Sequence, residues 1–376
     1  MTLIKTAMII LAAGLSQRMG VFKPLLPVGA IPAVLRCVSI AKSAGVGDII
    51  IVTGNNSREL EDVFSRDNDP QIHLVHNDGF RDGMFSSVHA GARELPRDID
   101  GFFLLPSDCC AVSSDTLLTL TGEFDKTGKT SVTRPKLNGQ RGHPPLIPAL
   151  YLDDLLSHNG EDGLKGFLRP LPTLEIEIND PGFLLDMDSP EDYTNLLTHL
   201  GFPEYPDRAQ SLALLAELNT PPDIIAHGED VAKTAIKIAS AMGNLDVALL
   251  ESACLLHDIK RMEPLHEIAG MKLLLQKGYP KAAILVRDHM DLPNEPIIEI
   301  TERELLYLAD KLCRRGKLVR LEDTLQKILL QIPADDTEAV ERVKRRIGKA
   351  QEILDILGSR YGIGYKDILE REEEIK

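Results

Sequence analysis

Ala7-Met-Ile-Ile-Leu11-Ala-Ala-Gly-Leu-Ser-Gln-Arg-Met-Gly20 is a short apolar run that opens directly into a glycine-rich turn, with Lys23-Pro24 just beyond it. Apolar residues 7–11 bounded by such a turn read as a strand buried on both faces. Similar β-branched runs recur at 48–53, 72–76 and 101–105, separated by stretches of helical periodicity at 32–43, 58–65 and 85–94. This rhythm predicts a mainly parallel sheet with helices on both faces. Runs at 131–134 and 174–178 extend the sheet, and 190–200 is its closing helix, with Asp188 and Ser189 at the N-cap position before Pro190.

The rhythm changes near residue 201. Gly201-Phe-Pro-Glu-Tyr-Pro206 is rich in breakers, and strand signals almost vanish beyond it. Helical periodicity marks 211–218, 228–242, 245–256, 266–277, 282–289, 302–315 and 337–357. The reading is a Rossmann-like α/β domain over 1–205, an all-α domain over 206–330, and a helical extension over 331–376 that ends in a solvated helix tip at 370–376.

The chain of 376 residues sets 42 Lys and Arg against 57 Asp and Glu, a net charge of −15. That balance repels anionic polymers and argues against a nucleic-acid binder or a membrane-surface protein. No segment approaches the roughly 18 uninterrupted apolar residues of a membrane span. Five cysteines, an odd number without a C-x-x-C pair, suit a reducing compartment. The expectation is a cytoplasmic protein.

A glycine-rich turn at the end of a central strand lets backbone N–H groups approach a phosphate, and Arg18 and Lys23 add cations. A tight turn with two solvated cations is an equally good reading of the loop alone. Leu11-Ala12-Ala13-Gly14 followed by Ser16, Arg18, Met19, Gly20 and Lys23 resembles the signature of the MobA-like nucleotidyltransferases, in the Ala-Ala-Gly form of the molybdenum cofactor cytidylyltransferases. Four later segments continue the resemblance: Asn77 to Ser87, with Gly83-Met-Phe-Ser86-Ser87; Pro106-Ser-Asp108; Gly142-His-Pro144; and Asp186-Met-Asp188-Ser-Pro-Glu-Asp192. It implies nucleotide contacts from Leu11, Ala12, Ala13, Gly14, Lys23, Gly83, Ser86 and Ser87. It also implies Mg²⁺ on Asp108 and Asp188, and catalytic roles for Asp108, Arg18 and Lys23, the two cations offsetting charge on departing pyrophosphate. Ser107 before Asp108, and Cys109-Cys110 after it, depart from the family's pattern. Asp188 reads equally as a helix cap, and His143 as a turn histidine.

In the helical half, His227 opens a helix, His257-Asp258 ends the apolar run 248–256, and Asp310 lies on a third helix. An ionisable pair directly after Cys254-Leu-Leu is costly to bury without a partner. Imidazole and carboxylate together suit Mn²⁺, Fe²⁺, Zn²⁺ or Mg²⁺. Ala253-Cys-Leu-Leu-His-Asp-Ile-Lys260 resembles the HD-domain phosphohydrolases, whose ligand order would here be His227, His257, Asp258 and Asp310. His266 and His289 fall where two-metal members place further ligands, or where they would only touch phosphate. Lys260 is a candidate catalytic residue and phosphate contact, and Arg261 and Lys311 are candidate phosphate contacts, Arg261 reading equally as part of a solvated face.

Together the resemblances imply a bifunctional enzyme. Its first half would move CMP from CTP, or a nucleotidyl group from another NTP, to molybdopterin-bound molybdenum or another phosphate-bearing acceptor. Its second half would hydrolyse a phosphate ester or anhydride. A sugar- or alcohol-phosphate acceptor is one rival. A non-catalytic carrier that hands a cofactor to a molybdoenzyme apo-protein is another.

Overall fold

The computed structural model describes residues 4–65, 69–293, 295–314, 316–333 and 335–369, so the expected helix tip at 370–376 lies outside the described residues. The chain divides into two compact units between Phe202 and Pro203.

The first unit is built on Thr6–Leu11, all six residues of which are buried. Its parallel neighbours are Gly101–Pro106 on one side and Asp48–Thr53 on the other, with Ile72–His76 next outward. On the far side of Gly101–Pro106 come Leu146–Pro148, then Val132–Leu137, then Thr173–Glu177. Leu146–Pro148 runs antiparallel to both its neighbours, and the two-residue Gln140–Arg141 pairs back onto Val132–Leu137. The chain therefore leaves the central strand in one direction and returns on its other side at Gly101–Pro106, the switch point at which such sheets bind ligands. Helices Ala33–Ser43, Ser57–Phe64, Met84–Arg93 and Ser114–Lys126 cover the sheet. One core joins Ile9, Val52 and Leu104 of the strands to Val88 and Ala92 of Met84–Arg93.

Helix Pro190–Leu200 is capped by Ser189, which accepts from the Asp192 N–H while Asp192 accepts from the Ser189 N–H. Asp188 is thus excluded from the cap and left for other partners. A second anchor lies upstream. Asp180 accepts from the backbone and hydroxyl of Ser113, from the Thr116 hydroxyl at 2.6 Å and from the Gly182 N–H. It thereby ties the start of helix Ser114–Lys126 to the segment leading to Asp186 and Asp188. Burial would raise the Asp180 pKa, but these donors hold it below the ordinary carboxylate value. Asp180→Ala is expected to cost about 2–4 kcal/mol in urea unfolding. The anchor's contribution should be complete above about pH 3.9 and lost as the pH falls through the lowered folded value.

The second unit contains helices Arg208–Glu217, Pro222–Met242, Val247–Leu256, His266–Gln276, Pro280–Asp288, Glu302–Leu312, Leu321–Leu329, Thr337–Tyr361 and Tyr365–Leu369. The expected helix 302–315 is shorter, because Cys313–Arg314 turns into a small hairpin with Lys317–Leu318. Stretch 331–376, set apart by sequence as an extension, places Ile347, Ala350, Ile353 and Leu357 in the same core as Val231, Leu250 and Leu305. Among the described residues no helix is long and apolar enough to cross a membrane. All five cysteines are free and buried.

Candidate functional sites

Strands Thr6–Leu11 and Gly101–Pro106 run in parallel register with Leu11 opposite Pro106, so the glycine-rich turn and Ser107-Asp108 leave the sheet at one edge. They open a cleft of about 560 Å³ lined by Leu11, Ala13, Gly14, Arg18, Lys23, Gly83, Ser87, Asp108, His143, Asp186 and Asp188 among others. A Cβ built on Gly14 would meet nothing within 4 Å. The fold itself does not demand glycine there; the missing side chain leaves room in the cleft. Gly83 differs, for its φ of +101° at the start of helix Met84–Arg93 is a glycine conformation.

Two expected nucleotide contacts face elsewhere. Ala12 is buried, its N–H donating to the Val52 carbonyl across the sheet. Ser86 turns back on its own loop, donating to the Gly79 and Gly83 carbonyls, whereas Ser87 lines the cleft. Asn77, at the start of the same motif, holds both hydroxyls with its amide at 2.9 and 3.0 Å.

Charge concentrates around Lys23. Its ammonium lies 2.5 Å from Asp108 Oδ2 and 2.8 Å from Asp188 Oδ1, while Arg18 reaches the other Asp188 oxygen at 2.6 Å. Burial pulls the Lys23 pKa down, but the two carboxylates more than reverse this and leave it raised. Lys23 hydrogen bonding, with Arg18 adding to it, depresses Asp188. The cation expected to face the triphosphate thus sits on the carboxylate pair expected to hold metal. Asp186, which the sequence did not single out, joins them: burial, then Asp188 and Asp108, push its pKa up. Cys109 and Cys110 are small buried side chains, the Cys110 thiol pushed up to about 12 by burial.

The helical unit gathers six expected ligands. His227 Nε2 is 3.2 Å from Asp310 Oδ1; His257 Nε2 is 3.5 Å from the same oxygen and 3.6 Å from Asp258 Oδ2. The other Asp258 oxygen lies 3.2 Å from His266 and 3.7 Å from His289. The donor atoms fall into two groups, His227 with His257 and Asp310, and Asp258 with His266 and His289, each within 4.8 Å. His227 does not open its helix. Pro222 takes the first helical turn, so the histidine projects from further inside.

His257 and His289 share a local design. Each follows the end of a helix, Val247–Leu256 or Pro280–Asp288, and its Nδ1 meets the carbonyl three residues back, Cys254 at 2.7 Å and Val286 at 2.6 Å. That bond occupies an otherwise orphan helix-end carbonyl and turns Nε2, with its lone pair, into the cluster. His257 Nε2 is buried with no hydrogen-bond partner among the described residues. An unpartnered buried imidazole nitrogen facing carboxylates fits a metal ligand. Burial would raise the Asp310 pKa, but Lys311, His227 and His257 hold it well below the usual range. Asp258 is likewise held low by His266, His289 and His257 against burial.

Of the three expected cations, Arg261 and Lys311 reach the cluster and Lys260 does not. Arg261 stands 3.2 Å from Asp258 and 3.4 Å from His266, and Lys311 bonds Asp310 and the His289 carbonyl. Lys260 instead pairs with Glu263 at 2.8 Å and lines a separate groove with Leu265 and Lys272. Asp258 and Arg261, three apart in a tight turn, share a face that Lys260 does not.

Residues 8–176 match the MobA-like NTP transferase domain and residues 224–326 the HD domain. Over 190 residues, 49% of this chain and 92% of the relative, the sequence is 27% identical to the molybdenum cofactor cytidylyltransferase of Escherichia coli (strain K12). It is 31% identical over 128 residues to the bifunctional protein GlmU of Geobacter sulfurreducens, covering 32% of this chain and 25% of that one. A nucleotidyl transferase from Methanothermobacter thermautotroptrophicus superposes with a TM-score of 0.45 at 24% identity, over 52% of this chain and 97% of its own. The chain therefore joins a nucleotidyltransferase domain of the MobA-like type, over residues 8–176, to an HD domain over residues 224–326.

Proposed function

We propose that the N-terminal domain transfers CMP from CTP to the molybdenum cofactor, releasing pyrophosphate, and that the HD domain hydrolyses a phosphate ester or anhydride. The observation that carries the first half is the convergence of Gly14, Lys23, Asp108 and Asp188 on one cleft at the switch point of the sheet. The choice of base and acceptor rests on the likeness to the Escherichia coli relative.

In this reading an acceptor phosphate oxygen bonds to the α-phosphorus of the nucleotide while the bond to the pyrophosphate oxygen breaks. Asp108 and Asp188 are the residues that would hold Mg²⁺; two carboxylates already converging on one cation make a fitting set of hard oxygen donors. Bound there, the ion would neutralise phosphate charge. Lys23, flanked by the same carboxylates, is placed to offset triphosphate charge, and Gly14 and Gly83 let backbone N–H groups approach it. Catalysis is mainly positioning and electrostatics.

In the HD domain, His227, His257 and Asp310 would hold one divalent ion, and Asp258, His266 and His289 a second. Such ions supply a hydroxide near neutral pH. Arg261 and Lys311 are placed to anchor the phosphate beside them.

The test incubates the full chain with each NTP, Mg²⁺ and a panel of acceptors, following pyrophosphate. Release with CTP and molybdenum cofactor, and none with sugar or alcohol phosphates, supports the reading. Release only with other acceptors overturns the substrate, and release with none overturns the activity.

A further inference from the structure

Arg134 stands on strand Val132–Leu137 with its Nε buried and without a hydrogen-bond partner. Among the described residues it forms no ion pair either. The carboxylate best placed to serve it is Glu175, directly across on Thr173–Glu177. That group is already engaged by Lys136 at 2.9 Å and by Arg141. Burial and Arg141 lower the Arg134 pKa and Glu175 only partly opposes them, so a partly buried guanidinium that shares its one nearby carboxylate with two other cations marks a place where an anion would be welcome.

A second orphan lies at the end of the hairpin that follows it. His143 lines the cleft, and its Nδ1 is buried without a partner. The chain brings the two together through the hairpin that follows Arg134: Gly142 donates to the Pro135 carbonyl at 3.1 Å, and Leu146 pairs with Thr133. A Cβ on Gly142 would lie 2.1 Å from the Phe183 ring, so only glycine lets the hairpin pass this close. Burial, then Arg134, lowers the His143 pKa, while Asp108 works in the opposite sense. His143 therefore feels both charges. Across the sheet the order is glycine-rich turn, Asp108, His143, Arg134.

We propose that Arg134, with His143 beside it, forms the subsite for the acceptor's phosphate, on the opposite flank of Asp108 from Lys23 and the glycine-rich turn. This rests on the transferase reading above for the identity of the two substrates. Arg134 offers a planar fork suited to a phosphate monoester dianion, and neutral His143 accepts or donates one further hydrogen bond. Lys23 and Arg18 serve the nucleotide.

The experiment uses the full chain, inorganic phosphate as probe, and Arg134→Met and Arg134→Lys as variants. Phosphate affinity is measured by calorimetry with and without saturating CTP and Mg²⁺, and melting temperature is followed alongside. Wild type should bind phosphate beside CTP. Arg134→Met should weaken phosphate at least tenfold, leave CTP affinity within twofold, and melt no lower than wild type without phosphate. Arg134→Lys should recover part of the loss. Unchanged phosphate affinity in Arg134→Met overturns the subsite, as does a lower melting temperature with an intact phosphate response, which would make Arg134 structural. Loss of CTP affinity together with phosphate assigns Arg134 to the triphosphate and overturns the acceptor role. If wild type binds no CTP, the transferase reading falls by itself, and the wild-type-to-variant difference in phosphate binding still decides the subsite.

Discussion

Asp108→Asn is expected to slow pyrophosphate release by roughly 10³-fold, about 4 kcal/mol of transition-state stabilisation. The side chain keeps its size and one oxygen but loses the charge that balances Lys23 and, in the proposed reaction, the metal. Its loss should not unfold the domain. Lys23 keeps Asp188 at 2.8 Å, and Asp188 keeps Arg18 at 2.6 Å. A single ion pair of this kind, on side chains still partly open to solvent, is worth about 1 kcal/mol. Turnover and stability should therefore separate: a large fall in rate with a small shift in urea midpoint. A variant that keeps more than a tenth of wild-type turnover would remove Asp108 from the chemistry, whereas a wild type without turnover would favour a carrier that only binds nucleotide. CTP affinity measured without metal serves as the control, because the glycine-rich turn and Gly83 are untouched.

His257→Ala is expected to prevent metal binding at the HD cluster and to abolish the hydrolysis proposed for it. The imidazole is buried and closes the gap between Asp258 and Asp310. Removing it leaves both carboxylates short of a partner, a loss of about 3–5 kcal/mol by analogy with broken buried pairs. Chelation of wild type provides the gentler measurement. A metal held at 1,000 times its Kd contributes about 4 kcal/mol to the folded state, so stripping it should lower the transition of the helical unit by several degrees. The pH dependence has a definite sign. Burial lowers the His257 pKa, but Asp310 and Asp258 raise it above its ordinary value. The proton that competes with metal for Nε2 therefore binds more readily as the pH falls, and affinity should drop about tenfold per unit below that raised value. Metal content unchanged in His257→Ala would end the assignment, and metal binding that strengthens in acid would contradict the geometry.

The inner parallel strands are legible because Thr6–Leu11, Asp48–Thr53 and Gly101–Pro106 are almost wholly buried and so read as apolar runs, whereas the outer Ile72–His76 is half exposed. Leu146–Pro148 escaped notice since it is three residues long and bracketed by prolines at 144, 145 and 148, which look like a loop. The hairpin Cys313–Leu318 was hidden in the same way, at the end of a helix whose periodicity ran on into it. Among site residues, those within local motifs were visible, from Gly14 to Asp310. Lys260 and Arg261 are adjacent, and only the turn after His257 decides which of them faces the cluster. Asp188 and Ser189 posed a similar one-residue choice, settled by the reciprocal bonds of Ser189 with Asp192. Arg134 carries no local signal at all. Its interest comes from the absence of a hydrogen-bond or ion-pair partner among the described residues, a property of how Val132–Leu137 pairs with Thr173–Glu177, some 40 residues further along the chain.

The late antiparallel strand Leu146–Pro148 has a bearing on how such a protein diversifies. Because it is inserted between Gly101–Pro106 and Val132–Leu137, the groups on the two flanks of Asp108 come from separate stretches of the chain. Residues of 11–24 and 80–87 line one flank of the cleft, and His143, at the end of the hairpin that follows Arg134, lines the other. On the reading proposed above, a lineage could exchange its acceptor by altering a single hairpin while the choice of nucleotide is inherited untouched. A graft confined to 134–143 is accordingly the natural unit for moving acceptor preference from one member of this fold to another.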